Sequence, residues 1–318
     1  MPTGESRILI ALLVVVTAFG TVVQSRINGE LVVITRNPFE IGILNFIVGL
    51  VACTILVVSR RAVRTAWTRM MTLTRRGQIR WWECLGGICG TYFVTVQSGS
   101  VPILGVSVFT VAVVAGQATN AAVLDRIGLG PAGRQPVSAL RICAVILAIV
   151  AVVVSVSDRF DPSRFADSRL SMVFALLAIS AGLVSAVQSA LNGRVAQKVG
   201  HGMAAGWMNF AVGTVVGLPI AIVLSAATGR AFVALPLDRP WLLIGGALAL
   251  LYVATVAWAI RPLGILGAAV LSVVGLLLGA LVIDLLAPTP GTQFGWHLVA
   301  GVLLAIAAAG LAALGRTR

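Results

Sequence analysis

Apolar runs, each about twenty residues long, alternate with short polar segments from one end of the chain to the other. ILIALLVVVTAFGTVV near the start and ALRICAVILAIVAVVVSV near the middle carry no charge in their interiors. A helix needs about 20 mainly apolar residues to cross a bilayer, and an isolated spanning segment must satisfy its own backbone hydrogen bonds. The pattern therefore predicts ten helical spans, at roughly 7–29, 39–59, 81–100, 103–124, 138–157, 169–192, 204–226, 240–260, 263–286 and 295–314. The first run is long and lacks a small-residue cleavage site, so it reads as a span rather than a cleaved signal.

The polar positions inside these runs recur. VQSRINGELV in the first half returns as AVQSALNGRVA in the second. At an offset of 164 residues, Gln24, Ser25, Asn28, Gly29, Asn45, Phe46 and Gly49 match Gln188, Ser189, Asn192, Gly193, Asn209, Phe210 and Gly213. At an offset of 159, Trp82, Gly86, Gly87, Gly105, Gly116 and Asp125 match Trp241, Gly245, Gly246, Gly264, Gly275 and Asp284. Self-similarity of this extent indicates duplication. Five spans per half is an odd number, so the second copy enters the membrane upside down, the arrangement of many secondary transporters. The expected fold is an all-α membrane protein of ten transmembrane helices in two inverted five-helix repeats. Residues 1–157 form the first, 158–168 the linker and 169–318 the second.

Composition sharpens the class. The chain has 318 residues, 59% hydrophobic and only 10% charged, where a soluble domain carries roughly 25% charged residues. The net charge of +13 sits between apolar runs rather than on one face, so it reads as a topology signal and not as a nucleic-acid surface. With the N-terminus cytoplasmic, the inside segments hold 16 basic residues and the outside segments 7, which places both termini in the cytoplasm. RRAVRTAWTRMMTLTRRGQIR, 60–80, carries most of the bias and reads either as a basic amphipathic helix on the membrane or as a solvated loop. Cys53, Cys84, Cys89 and Cys143 lie in or beside apolar runs without metal spacing.

The stretches VQSRINGELV with LNFIVG, and WWECLGGICGTYFVTVQSGSVPILGVSVFTVAVVAGQATNAAVLDRIGL, are similar to the drug/metabolite transporter superfamily. Within it, the chain most resembles the YdcZ-like family of bacterial inner-membrane proteins. In the second half, AVQSALNGRVA, MNFAVGT and PWLLIGGALALLYVATVAWAIRPLGILGAAV carry the same resemblance. Many members look like one half; this chain looks like the fused form. The resemblance implies a small-molecule exporter or facilitator in the bacterial cytoplasmic membrane. Its small multidrug resistance relatives carry a membrane-buried glutamate in the first helix, where this chain has Gln24 and Asn28.

Three groups of residues are candidates for function. Gln24 and Asn28 share a helical face and, with Asn45, form a polar cluster near one end of the first hairpin; Gln188, Asn192 and Asn209 repeat it at the opposite end. These clusters either lock each hairpin or line paired gates. Nearer the midplane, Gln117 and Asn120 are the leading substrate contacts, joined by Tyr92 and Gln97. Their second-half counterparts are apolar, with Tyr252 and Trp258 nearby, which suits a small amphipathic solute. Gly116 and Gly275 are placed to face each other across the axis relating the halves. Glu40 and Glu83, near span ends, are the candidate proton-coupling carboxylates.

No catalytic residue or metal site is predicted: His201 and His297 stand apart from other ligands, and no phosphate-cradling loop is present. The chain is expected to need no cofactor and not to be an enzyme. Its partners are a small-molecule substrate and the lipid bilayer, not nucleic acid, with the chain acting as a monomer or homodimer. Two readings stand: a secondary transporter working by alternating access, or a membrane-embedded assembly subunit that moves no solute.

Overall fold

The computed structural model describes residues 4–130, 133–134, 138–157, 165–233 and 236–314. All regular structure among them is helical: α1 (Gly4–Thr35), α2 (Pro38–Ser59), α3 (Arg61–Arg75), α4 (Gly86–Leu104), α5 (Val106–Ile127), α6 (Ala139–Val156), α7 (Phe165–Val199), α8 (Gly202–Ala227), α9 (Gly245–Leu286) and α10 (Trp296–Leu314). Eight helices among the described residues are long and apolar enough to cross a membrane. The helix α4 is not among them, since Thr91, Tyr92, Thr95, Gln97, Ser98 and Ser100 make it too polar. It starts at Gly86 rather than 81, because Trp81–Leu85 winds as a 3₁₀ turn.

Spans 240–260 and 263–286, expected as separate helices, run together as α9 from Gly245 onward, with Pro240–Leu243 wound as a 3₁₀ turn before it. A straight helix of 42 residues would be about 63 Å long. Yet Ala259 and Leu271 both join the cluster formed by Ile10 and Val14 of α1, and the Tyr252 side chain lies close to Ser272. From Gly245 to Ala259 the chain follows α1 backwards, from Asn28 to Ile10; from Leu271 to Gly279 it follows α1 forwards, from Val14 to Val22. The helix therefore doubles back between Ala259 and Ala268, through a stretch whose sequence holds Pro262, Gly264 and Gly267.

The connections between paired helices repeat the sequence offset. Between α1 and α2, Arg36 takes a left-handed φ of 56° and the Asn37 side chain caps α2 by accepting from the Phe39 and Glu40 amides. Between α7 and α8, 164 residues on, Gly200 has φ 78° and the His201 ring caps α8 by accepting from Met203 at 3.2 Å. In both, a left-handed residue reverses the chain and a side chain satisfies the exposed amides of the next helix.

The largest core surrounds α5, whose residues from Val106 to Gly116 are all buried. Against it lie α6, α7, α9 and α10. Asp284 caps α5 from outside its own segment, accepting from Val106 at 2.9 Å and Ser107 at 2.7 Å, and Thr292 donates to the same carboxylate. Negative charge at a helix N-terminus satisfies free amides and complements the helix dipole.

The basic stretch 60–80 forms an amphipathic helix whose apolar side packs on the protein itself. The helix α3 buries Ala66 and Met70 against Val195, Val199, Ala204, Ala205 and Met208, and Trp67 meets the edge of Trp207 at 5.5 Å. Arg60, Arg61, Arg64, Arg69, Arg75 and Arg76 stay exposed. The linker 158–168 is only partly in view: 165–168 belong to α7, and 158–164, with Arg159 and Arg164, lie outside the described residues, as do Arg316 and Arg318.

Candidate functional site

Gln24, Ser25 and Asn28 fall on one face of α1, Asn45 on α2 and Gln97 on α4. Their side chains close a ring. Gln24 Nε2 donates to Asn45 Oδ1 at 3.0 Å, Asn45 Nδ2 to Asn28 Oδ1 at 2.9 Å, Asn28 Nδ2 to Gln97 Oε1 at 3.1 Å, and Gln97 Nε2 to Ser25 Oγ at 2.7 Å. All five are at most 5% exposed. Gly29 packs under Val101, so the C-terminal turns of α4 seal this end. Gln97 thus belongs to the amide ring rather than beside Gln117.

The repeated cluster lies at the opposite end of the molecule. Gln188 Nε2 and Asn192 Nδ2 both donate to Asn209 Oδ1, at 3.1 and 3.0 Å. Here Gln188 and Asn192 are half-buried and Ser189 is exposed. The position equivalent to Gln97 is Val256, which packs towards Ile10, Val14 and Ala259 and has no polar group to extend the cluster.

Each hairpin seats on a helix of the other half. Gly245 and Gly246 of α9 press against Asn28, Asn45 and Gly49, where a methyl group would collide with Asn45. Gly86, Gly87 and Gly90 of α4 press against Asn192, Asn209, Gly213 and Gln188 in the same way. Between them Phe46 meets its counterpart Phe210, ring centres 5.3 Å apart, with Gly213 and Gly49 giving room for the two rings. Small residues let helix backbones approach closely. Gly116 does not face Gly275. Gly116 meets Gly182 and the Ile179 carbonyl of α7, while Gly275 meets Val15 and Ala18 of α1. Those two contacts are themselves related by the offsets of 159 and 164.

Gln117 and Asn120 bind α5 to α7: Gln117 Nε2 donates to Ser185 Oγ at 2.9 Å and Asn120 Nδ2 to the Leu183 carbonyl at 2.6 Å. Tyr92 shares a 2.7 Å hydrogen bond with Ser180, so α4 joins the same helix. Tyr252 and Trp258 do not join this group; Tyr252 lies close to Ser272 in the other arm of α9, and Trp258 is exposed. Gln117 also lines a cavity of about 200 Å³ between α5, α6, α9 and α10.

The two carboxylates sit at opposite ends. Glu40, in the first turn of α2, accepts from the Val233 amide at 3.2 Å. Glu83, in the 3₁₀ turn before α4, accepts from Arg194 at 3.0 Å, from Lys198, and from the Arg80 amide at 2.9 Å. Burial alone would push its carboxyl up; the hydrogen bonds from Lys198, Arg80 and Arg194 outweigh burial and hold it below the usual carboxylate range. Two contributors escape sequence reasoning. Ser25 is visible there only as part of the repeat, and Arg141, which lines the cavity, reads only as a topology signal. What sets Arg141 apart is that it is the one charge in the predicted span 138–157.

Long apolar helices surrounding paired polar clusters make this a multi-pass membrane protein. The chain belongs to the family described as "Putative inner membrane exporter, YdcZ", which matches residues 9–154 and 173–311. No curated protein matches the chain.

Proposed function

We propose that the chain is a secondary transporter that exports or facilitates small organic solutes by alternating access between inverted five-helix halves, 1–157 and 169–318. The observation that carries this reading is unequal closure of two equivalent clusters. The ring at Asn28 is shut by Gln97 and Val101, whereas its repeat at Asn192 leaves Ser189 exposed. Two copies of one polar site, closed at one end and open at the other, are what a rocking pair of repeats presents in one of its two states. Cross-seating of each hairpin on the other half, the doubled family match and the matching turn geometry support the inverted duplication. The arginine bias puts both termini, and the open Asn192 end, in the cytoplasm. Gln117, Asn120 and Tyr92 on the α5–α7 and α4–α7 seams are the residues along which the solute path would open.

The test is the sidedness of thiol labelling in a version with the four natural cysteines replaced. Ser189→Cys should react with a membrane-impermeant maleimide from the cytoplasmic face. Ser25→Cys should react only from the periplasmic face, and more slowly, because the closed state must first open. A Ser25→Cys protein inert from both faces, with Ser189→Cys reactive, would mean that the Asn28 end never opens. The chain would then be a static membrane subunit.

A further inference from the structure

The outer face of α3 is a dense strip of positive charge. At 3.6 residues per turn, Arg61, Arg64, Arg69, Arg75 and Arg76 fall on the half of the helix opposite Ala66 and Met70, the pair that seats it on α7 and α8. All five are exposed, as is Arg60 just before the helix. The sequence holds no acidic residue between Glu40 and Glu83, and Glu83 is taken by Arg194 and Lys198. Among the described residues no ion pair reaches any of the six arginines. Clustered like charges repel one another, so the strip lacks a counter-charge. Position decides what the strip meets. With 15 residues, α3 is too short to cross a bilayer. It begins directly after α2, whose Val51, Ile55 and Val58 form an exposed aliphatic stripe that ends two residues before Arg60. Beyond it the chain passes exposed Arg80 and Trp81 before α4, and tryptophan favours the membrane–water interface. Both ends of α3 therefore lie at headgroup level.

We propose that the outer face of α3 binds anionic phospholipid headgroups, its arginines on lipid phosphates while Ala66 and Met70 stay seated on α7 and α8. Charge and chemistry fit. Guanidinium matches phosphate oxygens with two parallel hydrogen bonds, and basic clusters beside a spanning helix are attracted to anionic leaflets. Extent fits as well. The helix is about 22 Å long, so one free anion cannot cover the strip, whereas a leaflet supplies an array of phosphates. A zwitterionic lipid brings its own ammonium group, which cancels the attraction. The contact has a consequence inside the protein. The seat of α3 includes Val195, three residues from Asn192, and Met208, beside Asn209. Lipid held on one face of α3 thus steadies the hairpin that carries the Asn192 cluster on the other. Lipid binding here is independent of the transport reading.

The test titrates lipid into the full-length protein in dodecyl maltoside micelles and follows the thermal midpoint, which rises when a ligand binds the native state. Dioleoylphosphatidylglycerol is compared with dioleoylphosphatidylcholine, which has the same chains and no net charge, and with inorganic phosphate, which has the charge and no chains. Phosphatidylglycerol should raise the midpoint at about tenfold lower concentration than phosphatidylcholine, and phosphate should leave it unmoved. The variant Arg61→Gln/Arg75→Gln/Arg76→Gln removes three exposed charges from the strip and should need about tenfold more phosphatidylglycerol for the same rise. Arg126→Gln/Arg134→Gln/Arg230→Gln removes as many exposed arginines elsewhere and should respond as the wild type does. Each protein is read against itself in phosphatidylcholine, so a change in its basal stability cancels. Equal action of the two lipids would overturn the proposal and return the face to solvent or to a soluble acidic partner. A rise with phosphate alone would overturn it in favour of free anions. Equal weakening in both triple variants would overturn it too, because net charge rather than this face would then attract the lipid.

Discussion

Truncating Asn45 and its counterpart Asn209 should cost different amounts. Asn45→Ala removes the acceptor of Gln24 Nε2 and the donor to Asn28 Oδ1. Interhelical hydrogen bonds in membranes average about 0.6 kcal/mol, so the two bonds alone account for about 1.2 kcal/mol. Most of the cost lies in the groups they leave behind. Gln24 and Asn28 are 5% and 0% exposed, and an orphaned buried polar group costs about 1–3 kcal/mol. A loss of about 3 kcal/mol follows for Asn45→Ala. Asn209→Ala also strands two donors, on Gln188 and Asn192, but both are half-buried rather than sealed. Its cost stays near that of the two bonds themselves, about 1 kcal/mol. Reversible unfolding in mixed micelles, followed by circular dichroism, measures both. Equal losses would refute the reasoning, because they would mean that the Asn192 cluster is as dry as the Asn28 ring.

Three further outcomes are expected. Gly116→Ala should destabilise by about 1–3 kcal/mol, because its methyl group collides with the Ile179 carbonyl; Gly206→Ala, with nothing near it, should be close to neutral in the same unfolding assay. Asp284→Asn should cost about 1–2 kcal/mol by weakening the charged cap on Val106 and Ser107, read as a lower thermal midpoint. Glu83 has a folded-state value below its unfolded one, so its contribution is complete above the unfolded value and is lost as pH falls through the folded one. The wild type should therefore lose thermal stability more steeply than Glu83→Gln below about pH 4, while Glu83→Gln is the less stable protein at pH 7.

Some of this is legible in the chain itself. Apolar runs long enough to span a bilayer, too few charges for a soluble surface and a duplicated Gln-Ser-x-x-Asn-Gly determine a multi-pass helical membrane protein with a repeated polar site. Helical periodicity also puts Gln24 and Asn28 on one face, because that depends only on local geometry. The tertiary structure decided the rest. Gln97 lies 69 residues from Asn28, and nothing in its own segment says that it turns towards α1 rather than towards Gln117. Arg141 has the sequence of a charge at a span edge; packing buries it against Asp125. The doubling back of α9 shows only in which residues of α1 its two arms touch. Above all, the two clusters are equal in sequence and unequal in closure. Sequence sets which groups can bond, whereas exposure depends on how α4 and α9 lie across the hairpins of the opposite half.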